Sequence, residues 1–348
     1  MHMADALLSP VVGGTMWAAT AGLVAYCSKR VGQEIDDSKV PLMGVLGAFI
    51  FASQMINFTI PATGSSGHLG GGLILAVLLG PYAAFLVMSS VLTVQSLFFA
   101  DGGLLALGTN IFNLGFFPCF VALPLVYKPL LGKNPTPRRI SIAAIIAGVV
   151  GLQLGAFGVV LETVASGISA LPFFTFVLLM QPIHLGIGLV EGIVTAGVIN
   201  FVWQSQPEIM VRAAAHQAMA GVSVKRVIVG LAAVTIITGG GLSWFASSNP
   251  DGLEWSIAKV TGGNGELESS GGLHAVLAGL QKRTAFLPGY GFRPAGEEKA
   301  KESKAEPAWP AVDPGTSLAG LVGGVLTLLV AIAIGWLLRR SGKASSPQ

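Results

Sequence analysis

The stretch LGPYAAFLVMSSVLTVQSLFFADGGLLALGTNIFN, residues 79–113, decides the fold class, because it holds a single charged side chain, Asp101. Outward from it the pattern continues. No other charge occurs between residues 40 and 127, and residues 140–207 hold only Glu162 and Glu191. About 20 apolar residues span a bilayer as a helix, so each run is long enough for several spans. Across all 348 residues, 52% are hydrophobic, 11% are charged and the mean hydropathy is +0.72. A soluble domain carries roughly 25% charged residues. The apolar runs are continuous and lack the period-two alternation of a membrane β-barrel. The chain therefore reads as an all-α polytopic membrane protein, multi-pass in the cell (inner) membrane, with the lipid bilayer as its solvent. This pattern argues against a soluble enzyme. A net charge of +3 is too small to draw nucleic acid. Cys27 and Cys119 are too few and too far apart in sequence for a disulfide scaffold.

Apolar windows place nine helices near 10–27, 41–58, 68–80, 82–99, 103–127, 140–163, 171–203, 226–246 and 317–338. Short basic loops follow at Lys29/Arg30/Lys39, Lys128/Lys133/Arg138/Arg139, Arg212/Lys225/Arg226 and Arg339/Arg340/Lys343. With nine spans and an extracytoplasmic N-terminus, all four clusters fall in the cytoplasm, as the positive-inside rule requires. The segment 247–315 is then an outer loop holding nine acidic and seven basic residues. Within it, the charge- and Pro-rich run 293–315 is expected to be extended or disordered. A polar stretch near 204–225 divides the chain into residues 1–220 and a two-span unit, 221–348, whose helices flank the outer loop. Residues 1–28 contain no Lys or Arg, so the positive n-region of a cleaved signal peptide is missing.

Polar groups in hydrocarbon are costly and mark functional positions. In this topology Pro61–His68, Gln95, Asp101, Asn110, Asn113, Gln181, His184 and Glu191 all fall toward the outer half of the membrane. His184 and Glu191, seven residues apart, share one helix face. Gln95, Asn110 and Asn113 also read as ordinary interhelical hydrogen-bond partners. Asp101, with Gly102 and Gly103 after it, reads most simply as a turn or cap.

The chain opens Met1-His2-Met3-Ala4-Asp5. A large residue at position 2 leaves an initiator methionine in place. The Met1 amine, the His2 amide nitrogen and His2 Nδ1 can then chelate one ion through a five- and a six-membered ring. His68, in a Gly/Ser-rich loop, can supply a fourth nitrogen. Square-planar nitrogen ligation favours Ni(II) or Cu(II), and Co(II) is also accepted. The tridentate set is available to any chain beginning Met-His, so spacing alone leaves its use open. Met3 offers either a thioether near the ion or plain packing.

The opening MHMADALLSP resembles the N-terminus of the substrate-capture membrane subunit of energy-coupling-factor cobalt/nickel transporters. The resemblance continues through GHLGGG (67–72), the 79–113 stretch and HLGIGLVEG (184–192), over about residues 1–220. Asn249–Trp255 then resembles the PDGLE signature of that family's small two-span partner subunit, here fused behind it. The resemblance implies a seven-helix capture bundle plus a two-helix accessory unit. It implies Met1, His2 and His68 as ligands for Co2+ or Ni2+, carried as cargo with no resident cofactor. Asp5, Gln95, Asn110, His184 and Glu191 become candidates for supporting or gating the ligands. The implied partners are a transmembrane coupling subunit and cytoplasmic ATPase subunits, since the chain carries no GxxxxGK[ST] phosphate loop. One departure from the family pattern is Met3 and Ala6, where Ile and Gly are usual.

Two rivals make different demands. A stand-alone ion-gradient carrier would use His184 and Glu191 as a proton relay and is favoured by an inverted repeat; none is evident. An intramembrane metal-dependent enzyme would need a motif such as HExxH, which is absent.

Overall fold

The computed structural model describes residues 2–169, 171–263, 271–293 and 309–344. The helices are α1 (Pro10–Glu34), α2 (Lys39–Gln54), α3 (Gly72–Leu79), α4 (Pro81–Phe99), α5 (Leu107–Leu131), α6 (Pro137–Ser166), α7 (Phe173–Ser205), α8 (Glu208–Ala214), α9 (Lys225–Gly240), α10 (Gly252–Thr261), α11 (Gly272–Thr284) and α12 (Pro314–Ala344). A short antiparallel hairpin, β1 (Phe58–Ile60) and β2 (Ser65–Gly67), separates α2 from α3. The nine expected windows fall on α1–α7, α9 and α12. Among the described residues, six helices are long and apolar enough to cross a membrane unaided: α1, α4, α5, α6, α7 and α12. The helices α2 and α9 have 16 residues each and α3 has eight.

Local chemistry sets several ends. Ser9 accepts from Val12 N ahead of Pro10, and Thr136 accepts from Arg139 N ahead of Pro137, each a side-chain cap with proline at the first helical position. Pro118 and Pro124 lie inside α5, whose central turns, Phe112–Tyr127, are π-helical. Proline removes a ladder donor, and a widened turn accommodates it. Helices α6 and α7 run against each other so closely that a Cβ on Gly192 would lie 2.4 Å from Ile145 Cα. Small residues permit such approach where no hydrophobic effect drives helices together.

The two-span unit lies against the rest of the bundle. Helix α12 packs along α2, and a Cβ on Gly323 would overlap the Phe51 ring. The outer loop also contains α10, α11 and a 3₁₀ turn at Pro288–Tyr290. Of the run expected to be extended, residues 294–308 lie outside the described residues.

One end of the bundle gathers basic clusters. Lys39 Nζ lies 3.4 Å from Glu34 Oε2, Arg339 pairs with Asp37, and Lys128 Nζ reaches Ala214 O. The other end gathers the N-terminal segment, the hairpin, the α4–α5 turn and α10–α11.

Candidate metal centre

The segment before α1 turns into the bundle instead of trailing from it. Met3 N donates to Asn110 Oδ1 at 2.8 Å, and Met3 O accepts from Asn110 Nδ2 at 3.2 Å and from Gly103 N at 2.9 Å. Asn110 thus pairs with this backbone as a neighbouring strand would. Asp5 Oδ1 accepts from Ala106 N at 3.0 Å, satisfying a donor just ahead of α5. Burial pushes the Asp5 carboxyl up, partly offset by the amides of Ala106 and Leu105. Met3, Leu7 and Leu8 are fully buried, so the Met3 side chain is packing.

This threading carries His2 to His68. The two rings stack with centroids 4.8 Å apart and planes 12° apart. His68 is only 7% exposed, and its Nδ1 lies 3.0 Å from Leu69 O. A carbonyl only accepts, so Nδ1 holds the proton and Nε2 the lone pair. Burial pushes the His68 imidazolium down to about 3, which keeps the ring neutral. His2 Nδ1 lies 2.9 Å from Asp101 Oδ1. Burial alone would raise the Asp101 carboxyl; the His2 ring and the Tyr290 hydroxyl outweigh it and hold it well below the usual carboxylate range. Asp101 is therefore more than the turn residue its sequence suggests. Ala100 (φ 53°) and Gly102 (φ 79°) bend the chain on either side of it and turn its side chain to His2.

The remaining candidates support this pair at different removes. Glu191 is 3% exposed and accepts from Gly70 N at 2.8 Å and Gly71 N at 2.9 Å, fixing the chain two and three residues beyond His68. His184 Nδ1 bonds Met180 O at 2.8 Å, and its Cε1 would stand 3.2 Å from a Cβ on Gly252. His184 and Glu191 share a helix face yet turn to different partners, so no direct relay joins them. Gln95 is fully buried on α4 beside Tyr290. Asn113 donates to Glu162 at 2.7 Å. Met1 lies outside the described residues. Among the described residues no group of three or more His, Cys, Asp or Glu side chains is arranged to hold a metal. A chelate built partly from backbone nitrogens does not need one.

The accessory segment closes over this end. The Asn-Pro-Asp-Gly-Leu-Glu run is a helix start. Asp251 Oδ1 accepts from Leu253 N and Glu254 N at 2.8 and 2.9 Å, and Glu254 Oε2 accepts from Asp251 N at 3.2 Å. This reciprocal box is legible as D-x-x-E in the sequence. The chain leading into it meets β2: Ser66 N donates to Pro250 O at 2.8 Å and Ser66 Oγ to Asn249 O at 2.7 Å. Trp255 Nε1 donates to Thr63 O at 3.0 Å. From α11, Gln281 Nε2 donates to Gly102 O at 2.7 Å, and His274 Nε2 reaches Leu8 O at 2.8 Å. The same segment thus grips the His68 loop, the Asp101 turn and the N-terminal segment. Asp101 was detectable in the sequence as the one charge in its run. For Tyr290 and Gln281 the sequence gives no signal.

Residues 2–209 match the family described as the cobalt uptake substrate-specific transmembrane region, and residues 225–340 match the PDGLE domain. A putative fused nickel transport protein of Archaeoglobus fulgidus is 32% identical over 96% of this chain and 98% of its own. A putative metal transport protein of Haloquadratum walsbyi is 34% identical over 60% of this chain and 93% of its own. A solved structure described as a truncated transition metal transporter superposes with a TM-score of 0.53 at 30% identity, covering 59% of this chain and 99% of that one.

Proposed function

The chain belongs to the family of cobalt-uptake substrate-specific transmembrane proteins, with a PDGLE domain fused behind it; it is a multi-pass membrane component of cobalt/nickel transport and not an enzyme, and from that premise we propose how it takes its cargo. It captures Co2+ or Ni2+ from the extracytoplasmic side, between the N-terminal segment and the His68 loop. The Met1 amine, the His2 amide nitrogen and His2 Nδ1 chelate the ion, and His68 supplies the remaining in-plane nitrogen. The observation that carries this reading is that Asn110 and Asp5 hold the N-terminal segment so that His2 lies beside His68. Glu191 fixes the loop. The basic clusters at the opposite end support an outward-facing mouth.

Bringing an amine and an amide nitrogen onto a divalent ion releases protons, so affinity falls as pH drops. Uptake is driven by ATP through a separate coupling subunit and cytoplasmic ATPases, whose action opens the bundle inward. The PDGLE segment holds the N-terminal segment and the His68 loop together over the cargo.

Adding one residue before Met1 tests the reading. It leaves every contact from Met3 onward available but displaces the amine from its chelate ring. Calorimetric titration of the purified protein with Ni2+ and with Co2+ is expected to show loss of tight binding at unchanged thermal stability. His68→Ala is expected to weaken binding likewise. Undiminished affinity in either variant refutes the ligand set.

A further inference from the structure

The Asp101 carboxylate bridges two parts of the molecule. Oδ1 takes His2 Nδ1 at 2.9 Å, and Oδ2 takes the Tyr290 hydroxyl at 2.5 Å. Tyr290 comes from the turn after α11, in the accessory segment, 189 residues from Asp101. Its backbone sits at φ 62°, a conformation that bulky L-residues rarely adopt. Such a strained residue persists only where its surroundings over-determine it, and it marks a site whose geometry matters. Here the surroundings are plain. The Tyr290 ring stacks on Phe99 at 5.2 Å and meets the edge of Phe51 at 6.1 Å. Leu287 N bonds Phe98 O just before it. The turn is built to deliver one hydroxyl to Asp101.

The capture reading needs the nitrogen that Asp101 holds. An imidazole nitrogen that donates its proton to a carboxylate has no lone pair for a cation. Lone pairs also lie in the ring plane, and rings stacked 12° from parallel do not aim two of them at one point. The Asp101 contact and the chelate therefore exclude each other. We propose that Asp101, locked by Tyr290 of the accessory segment, is a counter-ligand that competes with the metal for His2 Nδ1 and so gates the rate of capture. Tyr290 is a positioning residue: it acts on His2 only through Asp101. Metal entry breaks the Asp101 contact, turns the His2 ring off its stack with His68 and completes the chelate. The accessory segment thus sets how readily the mouth accepts an ion, apart from holding the mouth shut. This inference rests on the chelate described above.

The test uses the full chain in lipid nanodiscs with Ni2+ alone as the probe. Tyr290→Phe keeps the ring stack and the Asp101 charge and removes only the hydroxyl, so long-range attraction of the cation is unchanged. Association measured by stopped flow is expected to be about tenfold faster, the effect of losing one hydrogen bond to a charged group, with dissociation nearly unchanged. Asp101→Asn, compared at about 0.5 M salt where attraction is screened, is expected to associate faster as well. Nitrogen-15 spectra of labelled histidine, recorded before metal is added, report the gate directly. One ring nitrogen of His2 carries a carboxylate-bonded proton in the wild type and loses that signature in Asp101→Asn. Association that is unchanged or slower in either variant overturns the gate while leaving the ligand set standing. A wild-type protein that binds neither Ni2+ nor Co2+ overturns both.

Discussion

Glu191→Gln is the most informative perturbation of the His68 loop. Both carboxylate oxygens are used: Oε2 accepts from Gly70 N at 2.8 Å, and Oε1 accepts from Gly71 N at 2.9 Å. Glutamine is nearly the same shape but offers one carbonyl oxygen and one NH2. Whichever way the amide faces, one glycine N–H meets a donor in a site only 3% exposed. With the carbonyl at the Oε2 position Gly71 N keeps only its longer contact of 3.2 Å and faces an NH2 at the other, so one hydrogen bond to a charged acceptor, worth about 1.5–3 kcal/mol, is lost. The remaining bond weakens because its acceptor is neutral. Allowing for relaxation of the loop, the free energy of opening should fall by about 3 kcal/mol. At 1.4 kcal/mol per decade, that is roughly a hundredfold rise in the open population. Amide hydrogen exchange reads this population at Gly70 and Gly71, whose N–H groups are the ones released. Exchange at those positions is expected to quicken about a hundredfold, with helix α6 unaffected, and Ni2+ affinity to fall with it. Unchanged protection at Gly70 and Gly71 in a folded Glu191→Gln protein would refute the assignment of this carboxylate to the loop.

Asn110→Ala strips the N-terminal segment of its clamp. Met3 N is left without its acceptor, Met3 O keeps only Gly103 N, and Ni2+ affinity measured by calorimetry is expected to drop about tenfold or more. Gly71→Ala sets a Cβ 2.6 Å from Ile50 Cδ1 at φ +76°, so strain and overpacking together should cost about 2–4 kcal/mol in chemical denaturation. Acid should destabilise the fold through His68. Its imidazole is depressed from 6.5 to about 3, so above pH 6.5 neither folded nor unfolded ring is charged. Below that pH only the unfolded ring takes a proton, and stability is lost as pH falls toward the folded value. At about pH 5 the loss is about 2 kcal/mol, and His68→Gln should be spared it when denaturation midpoints at about pH 7.5 and 5 are compared.

Whatever depends on local composition can be read along the chain. Uncharged runs longer than a bilayer is thick can only be buried as helices, so the spans are readable from composition while their exact ends are not. The Met-His opening and the glycine-flanked His68 were readable too, as chemistry in search of an arrangement. Which polar groups meet follows from how the helices and loops pack. Asp101 looks like a turn residue until a segment 189 residues away presents Tyr290 to it. Glu191 looks like half of a relay until the His68 loop lays two amides on it. A hydrogen bond is fixed by distance and direction between groups that local pattern does not connect. In a membrane that difference is large, because a buried polar group that finds no partner has no water to fall back on.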